Sequence, residues 1–128
     1  MSKRRIDGEK VESTHVIGDV EGKNIVMVDD IISTASTMID AAKLLKKKGC
    51  KNITVVATHG LFCGGAIENI RKSPIDKIII SDTIQLSRAM QQVGDDFPKI
   101  EIISISSLLG EAIRREYLKT QLSSLLQV

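Results

Sequence analysis

The sequence predicts an α/β fold in which a mostly parallel sheet is flanked by helices and preceded by an N-terminal hairpin or flap. Two observations carry this. Four runs rich in Ile and Val, "IVMVDD", "NITVVAT", "DKIIISD" and "KIEIISI", alternate with segments whose apolar residues recur every three or four positions. Aromatic residues are only 2% of the chain, so the core falls to branched aliphatic side chains, which suit strands buried on both faces. Strands alternating with helices imply right-handed crossovers, hence parallel pairing with helices covering both faces.

Each element follows from a local signal. Residues 1–22 read as a polar flap: Asp7 and Gly8 form a tight-turn signal, alternation runs on to Ile17, and a second turn falls near Gly22. The remaining residues, 23–128, read as an α/β core, so that 1–128 is one domain. "IVMVDD" reads as the first central strand, too uniformly apolar to have a solvent face. Ala35, Met38, Ile39, Ala42 and Leu45 mark one face of a helix over 35–48, stopped by Gly49. "GGAIENIRKS" is a short helix ending near Pro74, its paired Gly64 and Gly65 suiting a close turn at the helix start. From Ser106 to about Leu126 a final amphipathic helix places Leu109, Ala112, Ile113 and Tyr117 on a stripe that covers the sheet. Beyond Tyr117, the tail offers Leu118, Leu122, Leu125, Leu126 and Val128 to a partner surface, which predicts a homodimer or larger homo-oligomer.

Composition removes several function classes. A net charge of +2 over 128 residues demands neither nucleic acid nor an anionic membrane as partner. No apolar stretch is long enough to span a bilayer, and "MSKRR" lacks the apolar segment of a signal peptide, so a cytoplasmic protein is expected. Cys50 and Cys63 lack the close Cys or His pairs of a zinc site and read as structural thiols. His59 follows a strand end, where it could face a site, and His15 lies in the flap; with no second ligand at metal spacing, neither reads as a metal ligand. The run Lys46 to Lys48 complements the dipole of a helix end and faces water.

The segment after the first core strand is different. Asp29 and Asp30 end an apolar run, and Ser33, Thr34, Ser36 and Thr37 crowd the start of the following helix. In open α/β sheets ligands bind beyond the carboxyl ends of the strands. A phosphate favours a helix start, where backbone N–H groups are unpaired and the dipole is positive, and the four hydroxyls add further donors. Two carboxylates touching that phosphate would repel it; they suit vicinal hydroxyls a few ångströms away, as acceptors. Phosphate on the loop and a diol on the acids describe a ribose phosphate. Either feature alone is better read as a solvated turn or an N-cap; both in order after an apolar strand favour the ligand. No P-loop or dinucleotide fingerprint competes.

These residues carry a resemblance. "IVMVDDIISTAST" resembles the phosphoribosyl-diphosphate signature of type I phosphoribosyltransferases and ribose-phosphate diphosphokinases. "KRR" at Lys3 to Arg5, "GDVEGKNIVMVDDI", "ATHGLF", "SDTIQ" and "SISSLLGEAIRR" are similar, in order and spacing, to the carboxyl-terminal part of the diphosphokinases. The resemblance implies a type I phosphoribosyltransferase-like fold. It also implies that Lys3 and Arg5 belong to a mobile catalytic loop that stabilises the diphosphoryl group in flight, Arg5 also binding ribose 5-phosphate. Asp29 and the loop Ser33, Thr34, Ala35, Ser36 and Thr37 would bind ribose 5-phosphate, with Asp30 supporting the ribose or its metal. The implied reaction transfers the diphosphoryl group of ATP, with Mg²⁺, to ribose 5-phosphate, giving phosphoribosyl diphosphate and AMP. The family's enzymes have two similar halves, and the half with most ATP-binding and metal-binding residues is not in this sequence. The chain departs from the family pattern at Ser33, often acidic in bacterial members, and at Ser36, often glycine. A non-catalytic ligand-binding or regulatory fragment, or a phosphoribosyltransferase, are the alternative readings.

Overall fold

A computed structural model describes residues 2–6, 10–15, 18–85 and 99–125, with side chains over 18–85 and 99–125. Strands β1 (Ser2–Ile6) and β2 (Lys10–His15) form an antiparallel pair in which Lys3 faces Ser13 and Arg5 faces Val11. This is the hairpin expected of the flap. The core is a four-stranded sheet of β3 (Asn24–Ile32), β4 (Asn52–Gly60), β5 (Lys77–Ser81) and β6 (Ile100–Ile103), in that spatial order and parallel throughout. Helices α1 (Ser36–Lys47), α2 (Ala66–Arg71) and α3 (Ser106–Tyr117) follow β3, β4 and β6, and Ser123–Leu125 forms a short 3₁₀ turn. The fold class is as the sequence predicts.

One hydrophobic core holds α1 and α2 on a single face of the sheet. Met38, Ile39, Ala42 and Leu45 of α1 and Ala66, Ile67 and Ile70 of α2 pack with Ile53, Val55 and Ala57 of β4 and Ile78 and Ile80 of β5. The predicted stripe of α1, Ala35 included, is buried in full. Polar groups tie the layer together at its lower edge. The Asp76 carboxylate accepts the Ile53 N–H at 2.7 Å and the Lys46 ammonium at 3.3 Å, and the Ile53 bond is the main cause holding this carboxyl below its ordinary value. Lys46 also donates to the Lys51 carbonyl at 2.6 Å, so it is a structural tie and not a solvated charge. Lys99 reaches across to the carbonyls of Ile70, Arg71 and Ser73, satisfying the end of α2.

Two expectations are corrected. β3 is an edge strand, not a central one, and its outer face is open: Val26 is 63% and Val28 78% exposed. The opposite sheet face is therefore not covered by a helix among the described residues. The final helix ends at Tyr117, well before Leu126, and buries nothing; Ile113 and Tyr117 of the expected core-facing stripe are 70% and 85% exposed. Within α3, Glu111 accepts both Arg114 and Arg115, which holds its carboxyl down at about 2. Arg115 continues to the Gln121 carbonyl and the Ser124 hydroxyl, fastening the segment after the helix. Leu118 and Leu122 are exposed, while Leu126 and Val128 lie outside the described residues.

Candidate functional site

The carboxyl ends of β3, β4 and β5 lie side by side, and the chain turns sharply beyond each. Asp29 and Asp30 sit inside β3, which continues to Ile32; Asp29 is level with Ala57 on β4 and Ile31 with His59. At these ends the inward side of the strands changes phase: Ile53, Val55 and Ala57 are buried on β4 and then Gly60, while on β3 Ile32 is buried beyond exposed Ile31. That shift leaves Asp29, Asp30 and Ile31 all exposed. The Asp29 carboxylate accepts the Asp30 N–H at 2.9 Å. Hydrogen bonding with the Asp29 side chain is the largest cause holding the Asp30 carboxyl below its ordinary value, aided by the N–H groups of Asp30 and Ile31 and by the charge of His59. Asp30 is thus kept as an acceptor.

Ser33, Thr34 and Ala35 then carry the chain into α1. Ala35 is the N-cap residue in a left-handed conformation, φ 61° and ψ 0°, and no side chain caps the helix. Its carbonyl accepts the Ile39 N–H at 2.9 Å, so the amides of Ser36, Thr37 and Met38 precede the helical ladder. The hydroxyl cluster therefore does not serve as the N-cap; Thr34 and Ser36 share a hydrogen bond of 3.0 Å, and Ser33, Thr34, Ser36 and Thr37 are all exposed. The loop is braced from β4's side. The Ile32 carbonyl accepts the N–H groups of Leu61 and Phe62, and the Ser33 carbonyl accepts that of Cys63 at 3.0 Å. Gly64 and Gly65 make the close turn expected of them, both left-handed, and a Cβ on Gly64 would come within 3.8 Å of the Thr34 methyl. Cys50 is buried as expected, whereas Cys63 is exposed beside the loop.

A second polar cluster closes the row. The Ser81 hydroxyl donates to the Thr58 carbonyl at 2.6 Å, Thr83 lies 2.9 Å from Ser81, and His59 Nδ1 lies 2.7 Å from the Thr83 hydroxyl. Asp82 accepts the Ile105 N–H at 3.0 Å; hydrogen bonding with Ser104 first and this amide second holds its carboxyl below its ordinary value. Sequence reasoning placed none of Thr58, Ser81, Thr83 or Asp82 in the site, although "SDT" directly after an apolar strand is the same kind of signal as "DD" after β3. The structure brings together Asp29, Asp30, Ser33, Thr34, Ala35, Ser36 and Thr37 on one continuous segment. Lys3 and Arg5 lie on β1, and their side chains are outside those described.

Residues 5–127 match the family model of the phosphoribosyl synthetase-associated domain. The chain belongs to this family. The ribose-phosphate pyrophosphokinase of Aquifex aeolicus (strain VF5) is 46% identical over 123 residues, covering 96% of this chain and 38% of that protein. The protein of the same name from Vibrio parahaemolyticus is 43% identical over 115 residues, covering 90% of this chain and 35% of its own length. Among solved structures, phosphoribosylpyrophosphate synthetase from Mycobacterium smegmatis superimposes with a TM-score of 0.71 at 27% identity, over 91% of this chain and 36% of that one. The chain thus spans little more than a third of the length of the family relatives it matches. No helix among the described residues is long and apolar enough to cross a membrane.

Proposed function

We propose that this chain is the ribose 5-phosphate-binding portion of a ribose-phosphate diphosphokinase, corresponding to the carboxyl-terminal part of such an enzyme. The observation that carries the reading is the uncapped start of α1. Exposed hydroxyls and amides that precede the helical ladder surround an electropositive helix end, with two carboxylates one strand-end away. The 5-phosphate is held at Ser33 to Thr37 and the sugar hydroxyls at Asp29 and Asp30. In the complete reaction the anomeric hydroxyl attacks the β-phosphorus of ATP, the bond to the α-phosphate oxygen breaks, and AMP leaves. Such transfer depends on positioning and on cations opposite the transferring oxygens, the role assigned to Lys3 and Arg5. Mg²⁺, when bound, would supply part of that charge. Among the described residues no group of three or more His, Cys, Asp or Glu side chains gathers to hold a metal; Asp29 and Asp30 are the pair that would help to hold Mg²⁺, whose charge would offset that of the transferring oxygens.

Titration calorimetry with ribose 5-phosphate tests the site. Asp29→Asn and Thr37→Val each weaken binding by about 1–3 kcal/mol, the scale of a lost hydrogen bond to a charged group. Equal affinity in the wild type and both variants removes the assignment. Self-association goes with this reading as a cytoplasmic homodimer or larger assembly, supported by the open apolar residues Leu109, Ile113, Tyr117, Leu118 and Leu122. Light scattering over a concentration series is expected to show a dimer that Ile113→Glu dissociates; a monomer at every concentration would exclude it.

A further inference from the structure

We propose that Phe62 is a positioning residue of this site: its ring, seated over Gly60, fixes the segment 61–63, whose backbone aims the Ser33 and Thr34 amides at the 5-phosphate. The inference rests on the ribose 5-phosphate reading and adds to it the residue that sets the loop. Phe62 follows β4 and is left-handed, φ 49°, a conformation uncommon for a bulky residue. Such strain persists only where the surroundings hold it. Here they do: Phe62 is 5% exposed, and a Cβ added to Gly60 would lie 2.6 Å from the ring Cε2 and 3.1 Å from Cζ. The same Cβ would meet Ile80 Cδ1 at 2.6 Å. The ring thus occupies space that only a glycine at position 60 leaves open.

The turn at Phe62 serves two carbonyls of the phosphate loop in succession. The Ile32 carbonyl accepts the Leu61 N–H at 2.9 Å and the Phe62 N–H at 3.1 Å, and the Ser33 carbonyl accepts the Cys63 N–H at 3.0 Å. The dihedral angles of residue 62 set the direction of the Cys63 N–H relative to its own, so the left-handed state delivers consecutive amides to consecutive carbonyls. Two adjacent peptide planes, Ile32 to Ser33 and Ser33 to Thr34, are fixed in this way. Both are trans, and in a trans peptide the N–H points opposite to the carbonyl. The Ser33 and Thr34 N–H groups therefore face away from residues 61–63, and neither donates to a group among the described residues.

These two amides add to those of Ser36, Thr37 and Met38, which precede the ladder of α1. Backbone N–H groups left without a partner are donors suited to phosphate oxygens. Phe62 itself touches no ligand; it acts through the Ile32 and Ser33 carbonyls. Its influence falls on the phosphate end of the ligand and not on the sugar hydroxyls at Asp29 and Asp30. Inorganic phosphate and ribose 5-phosphate should accordingly lose affinity by the same factor when the ring is displaced.

Gly60→Ala displaces the ring, because the stiff aromatic must move where Ile80 offers only the flexible end of its side chain. Adding Phe62→Leu gives the new methyl group room. Titration calorimetry of the 128-residue chain should show Gly60→Ala weakening ribose 5-phosphate and inorganic phosphate alike by roughly tenfold, the scale of one hydrogen bond, and the double variant recovering most of that loss. Heteronuclear NMR of the wild type should show the Ser33 and Thr34 amide protons moving to lower field at saturation with either ligand; this measurement decides the matter even where Gly60→Ala does not fold. Ligand binding that leaves both amides unmoved, or a folded Gly60→Ala with wild-type affinity for both ligands, overturns this proposal and leaves the loop site standing. A loss confined to ribose 5-phosphate, or one that Phe62→Leu does not restore, overturns the role of Phe62 as well. Failure of the wild type to bind ribose 5-phosphate at all overturns the site and this residue's role with it.

Discussion

Ile78→Ala is expected to lower the unfolding free energy by about 2–5 kcal/mol, the range for truncating a buried aliphatic side chain where surrounding structure relaxes only in part. Ile78 is fully buried on β5, an inner strand, level with Val55 on β4 and Ile100 on β6. Its backbone N–H is also fixed, donating to the Lys99 carbonyl at 2.6 Å. Strands on both sides and the helices above prevent collapse into the space left behind. Val28→Ala supplies the contrast on the same sheet: Val28 is 78% exposed on the outer face, and its truncation should stay within about 0.5 kcal/mol. Urea unfolding followed by circular dichroism, with unchanged slope, measures both. A loss for Ile78→Ala as small as that for Val28→Ala would mean that the core does not lie between the sheet and α1 and α2.

The same contrast explains which parts of the fold were legible in the sequence. Helix α1 announced its face through five apolar positions and its end through Gly49, because the physics there is local. The Gly49 and Cys50 amides bond back to the Lys46 and Leu45 carbonyls, a left-handed stop that glycine adopts without strain. Helix α3 ends by the same device, Lys119 and Thr120 bonding back to Glu116 and Arg115. Here the left-handed residue is Lys119, φ 53°, so no glycine marks the stop and the apolar pattern runs on past it. The position of β3 was not local information. A run of Ile25, Val26, Met27 and Val28 says that both faces favour cover, but pairing order decides whether cover arrives, and β3 stands at the edge with one face open.

The site divided along similar lines. Asp29, Asp30 and the hydroxyls are contiguous, so the sequence displayed them together, and topology needed only to place them at a strand end. The cluster of Thr58, His59, Ser81, Asp82 and Thr83 is assembled from two strands more than twenty residues apart, as the Ser81 and Thr58 contact shows. Each of its members is unremarkable alone. What the residue types did not display was the backbone state of Ala35: nothing in "STAST" marks the alanine as left-handed, and the serines and threonines around it are the usual N-cap residues.

That backbone state supports the second large effect, the replacement Ala35→Val. A left-handed conformation is uncommon for alanine and a genuine outlier for a β-branched residue, whose side chain crowds the following carbonyl. Ala35 is also buried, so two added methyl groups meet the packed core at the head of α1. Ala35→Val should therefore cost about 1–3 kcal/mol in stability, the range for strained backbone held by its surroundings. Ala35→Gly separates conformation from packing, because glycine adopts φ near 61° freely and gives up only one methyl group. Thermal unfolding of the two variants should place Val well below wild type and Gly close to it. Ribose 5-phosphate binding should follow the same order, since any relief of strain in the valine variant rotates the Ala35 to Ser36 peptide and turns the first amides of α1 away from the ligand. A valine variant with wild-type stability and affinity would show that the left-handed turn before α1 is not what arranges the site.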